Sequence, residues 1–341
     1  MMEQLVILLL IFAIWFLIAA LLSPLEALGW WAGWFETEPD AEEHREALKR
    51  QSAPPGGDVY VVYLTGIGKP AGDIYSEPER NFLDTLKIGL DEEDIILIDD
   101  IFPYSVSNRA LTGQRFFAWF WRLALRLKAS GVVIGAVINL RNMFQVIVSA
   151  DRRYGPIYNQ GAAEMVIEGL KARGYHVDSG TPITLIGYSG GGQIALGAAQ
   201  YIADALDAPV TVISLGGVMC SDPSLPLVEH LYHLHGEKDM VHRLGAILFP
   251  GRWNLQPHSY WNLAKEEGRI TLVDMGNMGH TGAGGYLDTD TILLDGRSHL
   301  EKTVQLMLEL IYEQDPNPNP VRLARMQQAV TQEMIALEIE G

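Results

Sequence analysis

The segment Gly187-Tyr188-Ser189-Gly190-Gly191 has the G-x-S-x-G spacing of a sharp strand-to-helix turn, which lifts a serine hydroxyl above the end of a sheet for nucleophilic attack. The turn forces backbones together, so residues without a Cβ flank the serine. Five residues alone are weak evidence, and context decides. PITLI precedes the turn as a β-branched strand, and GGQIALGAAQYIADAL follows as a helix with small residues in its first turns. Gly190 can then donate its N–H to a developing oxyanion. The bland alternative is a structural turn serine without chemistry. Two other constellations compete for attention. His230, His233 and His235 suggest a metal, but strand histidines without cysteine or paired carboxylates more commonly pack or hydrogen-bond. Gly66-Ile67-Gly68-Lys69-Pro70-Ala71 formally fits a dinucleotide fingerprint, yet Pro70, Gly72 and Asp73 prolong the turn where that motif needs a helix to open. No cofactor and no metal is expected.

The elements that must position Ser189 follow a regular rhythm. Apolar β-like runs at 59–65, 94–102, 182–188, 209–215, 230–235 and 269–275 alternate with helical patterns at 78–90, 160–173, 191–206 and 298–313. Strands apolar on both faces and separated by helices predict an α/β fold with a mostly parallel sheet covered on both sides. Residues 104–158 break the rhythm with two consecutive helix-like stretches and read as a helical cap insertion. The first, at 115–128, mixes Arg115, Arg122, Arg126 and Lys128 with large aromatics, as in a helix lying along a membrane interface. The second, at 132–150, is long enough to span a bilayer, but Asn139, Arg141 and Asn142 at its centre argue against lipid and for a cap helix.

At Ser189 the chain resembles the α/β-hydrolase superfamily, over about residues 58–313. The resemblance implies the order nucleophile, acid, histidine along the sequence. Asp239 in His235-Gly236-Glu237-Lys238-Asp239 is similar to the acid-bearing loop, and Met278-Gly279-His280 after RITLVD to the histidine loop. Asp222 is the rival acid. His299, within a predicted helix, and His258, in an irregular stretch, are the rival bases. The resemblance also places the second oxyanion donor in Leu64-Thr65-Gly66-Ile67-Gly68, where Thr65-Gly66 replaces the frequent His-Gly. The expected donors are the Ile67 N–H and the Thr65 hydroxyl, beside Gly190. The implied chemistry is acyl transfer through an acyl-serine, with water as final acceptor.

Composition bounds the rest. With 25 basic against 42 acidic residues, the net charge of −17 disfavours nucleic acid as a partner. The single cysteine, Cys220, excludes an intramolecular disulfide framework. Residues 5–22 form an uncharged apolar run of transmembrane length, with Glu3 before it and Ser23-Pro24 after it, unlike a cleaved signal peptide. Trp30, Trp31, Trp34 and Phe35 suit the membrane interface. Arg45, Lys49 and Arg50 on the C-terminal side favour a single-pass protein with a cytoplasmic soluble domain. The expected organisation is an anchor, interfacial segment and linker at 1–57, a hydrolase domain at 58–314, and a Pro-rich linker with an amphipathic helix at 315–341. That helix carries Leu323, Met326, Val330, Met334 and Leu337 as a stripe that docks on the parent domain, with homo-oligomerisation through it as the alternative. The expected function is a membrane-anchored serine hydrolase of lipase, esterase or thioesterase type acting on a hydrophobic ester, with peptide hydrolysis as a further option. The alternatives are a non-catalytic membrane binding or scaffold protein of the same fold, and a cofactor-free peroxidase.

Overall fold

The computed structural model describes residues 56–68, 75–90, 94–104, 131–316, 318 and 320–340, with Ile14 and Ile18. The elements run β1 (Val59–Leu64), α1 (Glu77–Gly89), β2 (Ile95–Ile98), α2 (Gly131–Ala150), α3 (Gly155–Ala172), β3 (Ile183–Tyr188), α4 (Gly190–Leu206), β4 (Val210–Leu215), β5 (His230–His235), α5 (Arg243–Leu248), α6 (Tyr260–Glu266), β6 (Ile270–Asp274), α7 (His299–Tyr312) and α8 (Pro320–Glu340). The six strands form one sheet in the order β2-β1-β3-β4-β5-β6. Every adjacent pair is parallel.

Successive side chains of a strand point to opposite faces, so a strand apolar at every position must be covered twice. In β1, Tyr60, Val62 and Leu64 join a core with Ala162, Val166, Ile194 and Ala198 of α3 and α4. Val59, Val61 and Tyr63 join a second core with Phe82 and Leu86 of α1, Val304 and Leu308 of α7, and Val330 of α8. The same alternation divides Leu185 from Ile186 and Val212 from Ile213. The helices start where local chemistry allows: Ser259 and Ser298 accept the backbone N–H three residues on, from Asn262 and Glu301, capping α6 and α7.

β2 is shorter than the apolar run 94–102 predicted. Pairing ends at Ile98, where Asp99 and Asp100 turn outward to Lys87 and Arg173, each at 2.7 Å. Helix α3 begins at Gly155, five residues before its predicted start, with Pro156 in its first turn. Helix α8 docks on its own domain against α1 and α7, burying Met326, Val330 and Met334. The apolar run 5–22, apart from Ile14 and Ile18, lies outside the described residues, as does the stretch 115–128. Among the described residues no helix is long and apolar enough to cross a membrane. In α2, the helix of the second apolar stretch, Arg141 and Asn142 are buried within the protein at 1% and 0% exposure. Between β2 and β3 the described chain forms only helices, α2 and α3.

Candidate active site

In a parallel sheet all strands end on the same edge, and the loops beyond that edge meet where the strand order reverses. Here β3 is central, between β1 and β4, and Ser189 follows its last residue directly. Ser189 sits at φ 54° and ψ −121°, a conformation that costs a non-glycine residue about 1–3 kcal/mol. Its neighbours make any relaxation costly. A Cβ on Gly191 would lie 2.3 Å from the Leu64 carbonyl oxygen, and one on Gly187 would lie 2.5 Å from the Gly192 Cα. The turn is tied to the next strand by the Ser189 N–H, which donates to the Leu215 carbonyl at 2.9 Å.

The loops after β5 and β6 bring two more groups to this point. Ser189 Oγ lies 2.9 Å from His280 Nε2, and His280 Nδ1 lies 2.8 Å from Asp239 Oδ2. Asp239 is fully buried, and its carboxylate has four donors. Oδ2 accepts from His280 and from the Tyr286 hydroxyl at 2.7 Å; Oδ1 accepts from the Val241 and His242 N–H groups at 2.7 and 3.1 Å. Burial alone would raise this carboxyl, but the hydrogen bonds from His280 and Tyr286 outweigh it and hold it down at about 2. An ionised carboxylate only accepts, so His280 carries its proton on Nδ1 and presents the Nε2 lone pair to the serine hydroxyl. That is the tautomer a general base requires. Gly216, at φ 59°, lies beneath the pair: a side chain there would stand 2.8 Å from Asp239 Oδ2 and 3.0 Å from His280 Nδ1.

The loop after β1 passes beside the elbow, where a Cβ on Gly66 would touch the Ser189 Cβ at 3.4 Å. Among the described residues neither the Gly190 N–H nor the Ile67 N–H is taken by a backbone carbonyl outside regular elements. Thr65 is engaged elsewhere: its hydroxyl donates to Glu79 Oε1 at 2.6 Å, and the Tyr63 hydroxyl donates to the same oxygen at 2.9 Å. The buried Glu79 therefore grips the loop after β1 from the α1 side.

The rival residues fall away from this chain of contacts. Asp222 accepts from Gln193 Nε2 at 2.9 Å and from the Ser224 N–H at 3.0 Å, and burial raises its carboxyl. Asp222 and His258 border a cavity of about 690 Å³ that none of Ser189, Asp239 and His280 lines. His299 is buried with Nδ1 3.1 Å from the Gly285 carbonyl. His230 meets Thr271, and His233 meets Ser214 at 3.2 Å. Among the described residues no group of three or more His, Cys, Asp or Glu is placed to hold a metal ion.

Two tyrosines at the site were not anticipated from the sequence. Tyr286 bridges Asp239 and the Gly236 N–H, which donates to its hydroxyl at 2.8 Å. Tyr188, the variable residue of the elbow, stacks on His280 at 5.6 Å and 21° and donates to the His280 carbonyl at 2.9 Å. Its position within the motif was the only available signal.

The chain is thus an α/β protein with an all-parallel six-stranded sheet flanked by helices. No protein-family model and no curated protein matches it. Among solved structures, the LpqC poly(3-hydroxybutyrate) depolymerase from Bordetella parapertussis aligns over 81% of this chain and 85% of its own, at 13% identity and a TM-score of 0.32. At that distance the likeness bears on neither activity nor substrate.

Proposed function

We propose that this chain is a serine hydrolase of the α/β-hydrolase type, cleaving an ester or thioester of a hydrophobic substrate. The observation that carries the reading is the continuous hydrogen-bonded line from Ser189 Oγ through His280 to the buried, ionised Asp239, at 2.9 and 2.8 Å. His280 Nε2 takes the hydroxyl proton as Oγ attacks the carbonyl carbon, and Asp239 stabilises the imidazolium. The oxyanion is met by the Gly190 and Ile67 N–H groups. His280 then gives its proton to the leaving group, and water repeats the cycle on the acyl-serine. In this reading residues 5–22 anchor the chain in a bilayer, with the catalytic domain on the cytoplasmic side and a lipid or other hydrophobic ester within reach.

The test is labelling of the detergent-solubilised protein with a fluorophosphonate probe beside Ser189→Ala and His280→Ala, followed by nitrophenyl esters of increasing chain length. Labelling lost in both variants, with turnover of the longer esters, is the expected result. A folded protein that is never labelled would belong instead to the non-catalytic binding proteins. Carbonate-resistant sedimentation with membranes, abolished on deleting residues 1–57, tests the anchor.

A further inference from the structure

The proton transfers leave a buried cation without a part to play. Arg141 lies at 1% exposure inside α2, and burying a guanidinium is unfavourable unless its donors are used. Its Nη1 donates to the Tyr104 carbonyl at 2.7 Å and to Asn142 Oδ1 at 2.9 Å. Those two residues each reach the loop after β1. The Tyr104 hydroxyl donates to the Thr65 carbonyl at 2.8 Å, and Asn142 Nδ2 donates to the Ile67 carbonyl at 2.6 Å. By claiming Oδ1, the arginine also decides which end of the Asn142 amide faces Ile67.

Each peptide unit is a rigid plane. The Ile67 N–H belongs to the plane between Gly66 and Ile67, and Gly66 is the residue whose dihedrals are least constrained. The Thr65 and Ile67 carbonyls belong to the planes immediately before and after it. With both outer planes held, the Cα atoms at the two ends of the middle one are fixed. The rotation left to it, about the axis joining them, carries the β-branched Ile67 toward positive φ, which such a residue resists. We infer that Asn142 and Tyr104 are positioning residues that set the direction of the Ile67 N–H, with Arg141 joining the two clamps, so that α2 completes the oxyanion hole. The inference rests on the hydrolase reading and deepens it: α2 is part of the machinery that meets negative charge.

The experiment compares wild type, Asn142→Leu and Tyr104→Phe on a nitrophenyl ester and on the thionoester in which sulfur replaces the carbonyl oxygen. Sulfur accepts hydrogen bonds poorly, so the oxoester-to-thionoester rate ratio reads the quality of the oxyanion hole. Losing a whole donor costs about 100- to 1,000-fold, so misdirecting one predicts a kcat lower by about 10- to 100-fold on the oxoester with KM within about threefold. The rate ratio should shrink at least about fivefold, because the thionoester loses less. Tyr104→Phe removes one oxygen and keeps the ring, so it retains the packing if Asn142→Leu does not fold. A lower kcat with an unchanged ratio would mean a merely structural role and overturn the inference, as would an unchanged kcat. A wild type that neither turns over the oxoester nor is labelled at Ser189 would overturn the hydrolase reading, and the inference with it.

Discussion

Replacing Asp239 by asparagine tests the site at its least exposed point. All four groups that face the carboxylate are donors: His280 Nδ1 and the Tyr286 hydroxyl on Oδ2, and the Val241 and His242 N–H groups on Oδ1. An amide offers one oxygen and one NH₂, so two of the four must face a donor. The backbone N–H groups are fixed, whereas an imidazole can change tautomer and a phenol can rotate. The oxygen of the introduced amide therefore turns to Val241 and His242, and its NH₂ turns to His280. Nδ1 becomes an acceptor, and the ring proton moves to Nε2, which then points N–H at Ser189 and cannot accept a proton. A tautomer error of this kind lowers kcat by about 10,000-fold, roughly 5 kcal/mol of transition-state stabilisation. The control is Asp222→Asn, which faces the Gln193 amide and the Ser224 N–H rather than a histidine. It should cost about 1–3 kcal/mol of stability through a mispaired buried group and leave kcat within about threefold. Steady-state hydrolysis of a nitrophenyl ester, with a urea melt of each variant, measures both. A kcat for Asp239→Asn within tenfold of wild type, or equal losses in the two variants, would refute the assignment.

The Asp239 carboxyl, held at about 2 in the folded chain, sits below its unfolded value of about 3.9. Its stabilisation is thus complete above about pH 4 and is lost as pH falls toward 2, and urea midpoints across that window should lose this component in Asp239→Asn. Tyr286→Phe removes one of the four donors and strands the buried Gly236 N–H; about 1–3 kcal/mol of stability should disappear, with kcat reduced less than in Asp239→Asn because the His280 bond survives. Unchanged melts would show that this bridge contributes nothing. Gly191→Ala drives a Cβ against the Leu64 and Thr65 carbonyls, whereas the three atoms nearest a Cβ on Gly190 belong to side chains, those of Ile67 and Val146 first, at 2.6 and 2.7 Å. Fluorophosphonate labelling and thermal melts should therefore show Gly191→Ala as the more damaging change, and the reverse order would mean the elbow is shaped differently.

Much of this architecture was legible without coordinates because its causes are local. A run such as VYVVYL is apolar at every position, which demands cover on both faces, and four largely apolar runs, those of β1 to β4, separated by helical segments imply a parallel sheet. The elbow was legible for the same reason: Gly187, Ser189 and Gly191 belong to one turn, and the Cβ that Gly187 lacks would collide with Gly192, five residues on. Asp239 and His280 were named by resemblance to the acid and histidine loops of the α/β-hydrolases, from their order along the chain and their places after strand-like runs. The polar centre of α2 was visible too, and it argued against lipid, but not which atoms Arg141 and Asn142 would meet.

Those partners depend on the return of distant chain to one edge of the sheet. His280 reaches Ser189 across 91 residues, Asn142 reaches Ile67 across 75, and Tyr286 reaches Asp239 across 47. The Thr65 hydroxyl, chemically able to serve an oxyanion, is taken by Glu79 because α1 packs where it does. Steric and periodic signals act between neighbours along the chain, so the sequence alone determined the strands, the elbow and the residue types for the chemistry. A hydrogen bond requires two atoms within about 3 Å with aligned geometry, and only the packing of helices on the sheet decided which donor met which acceptor.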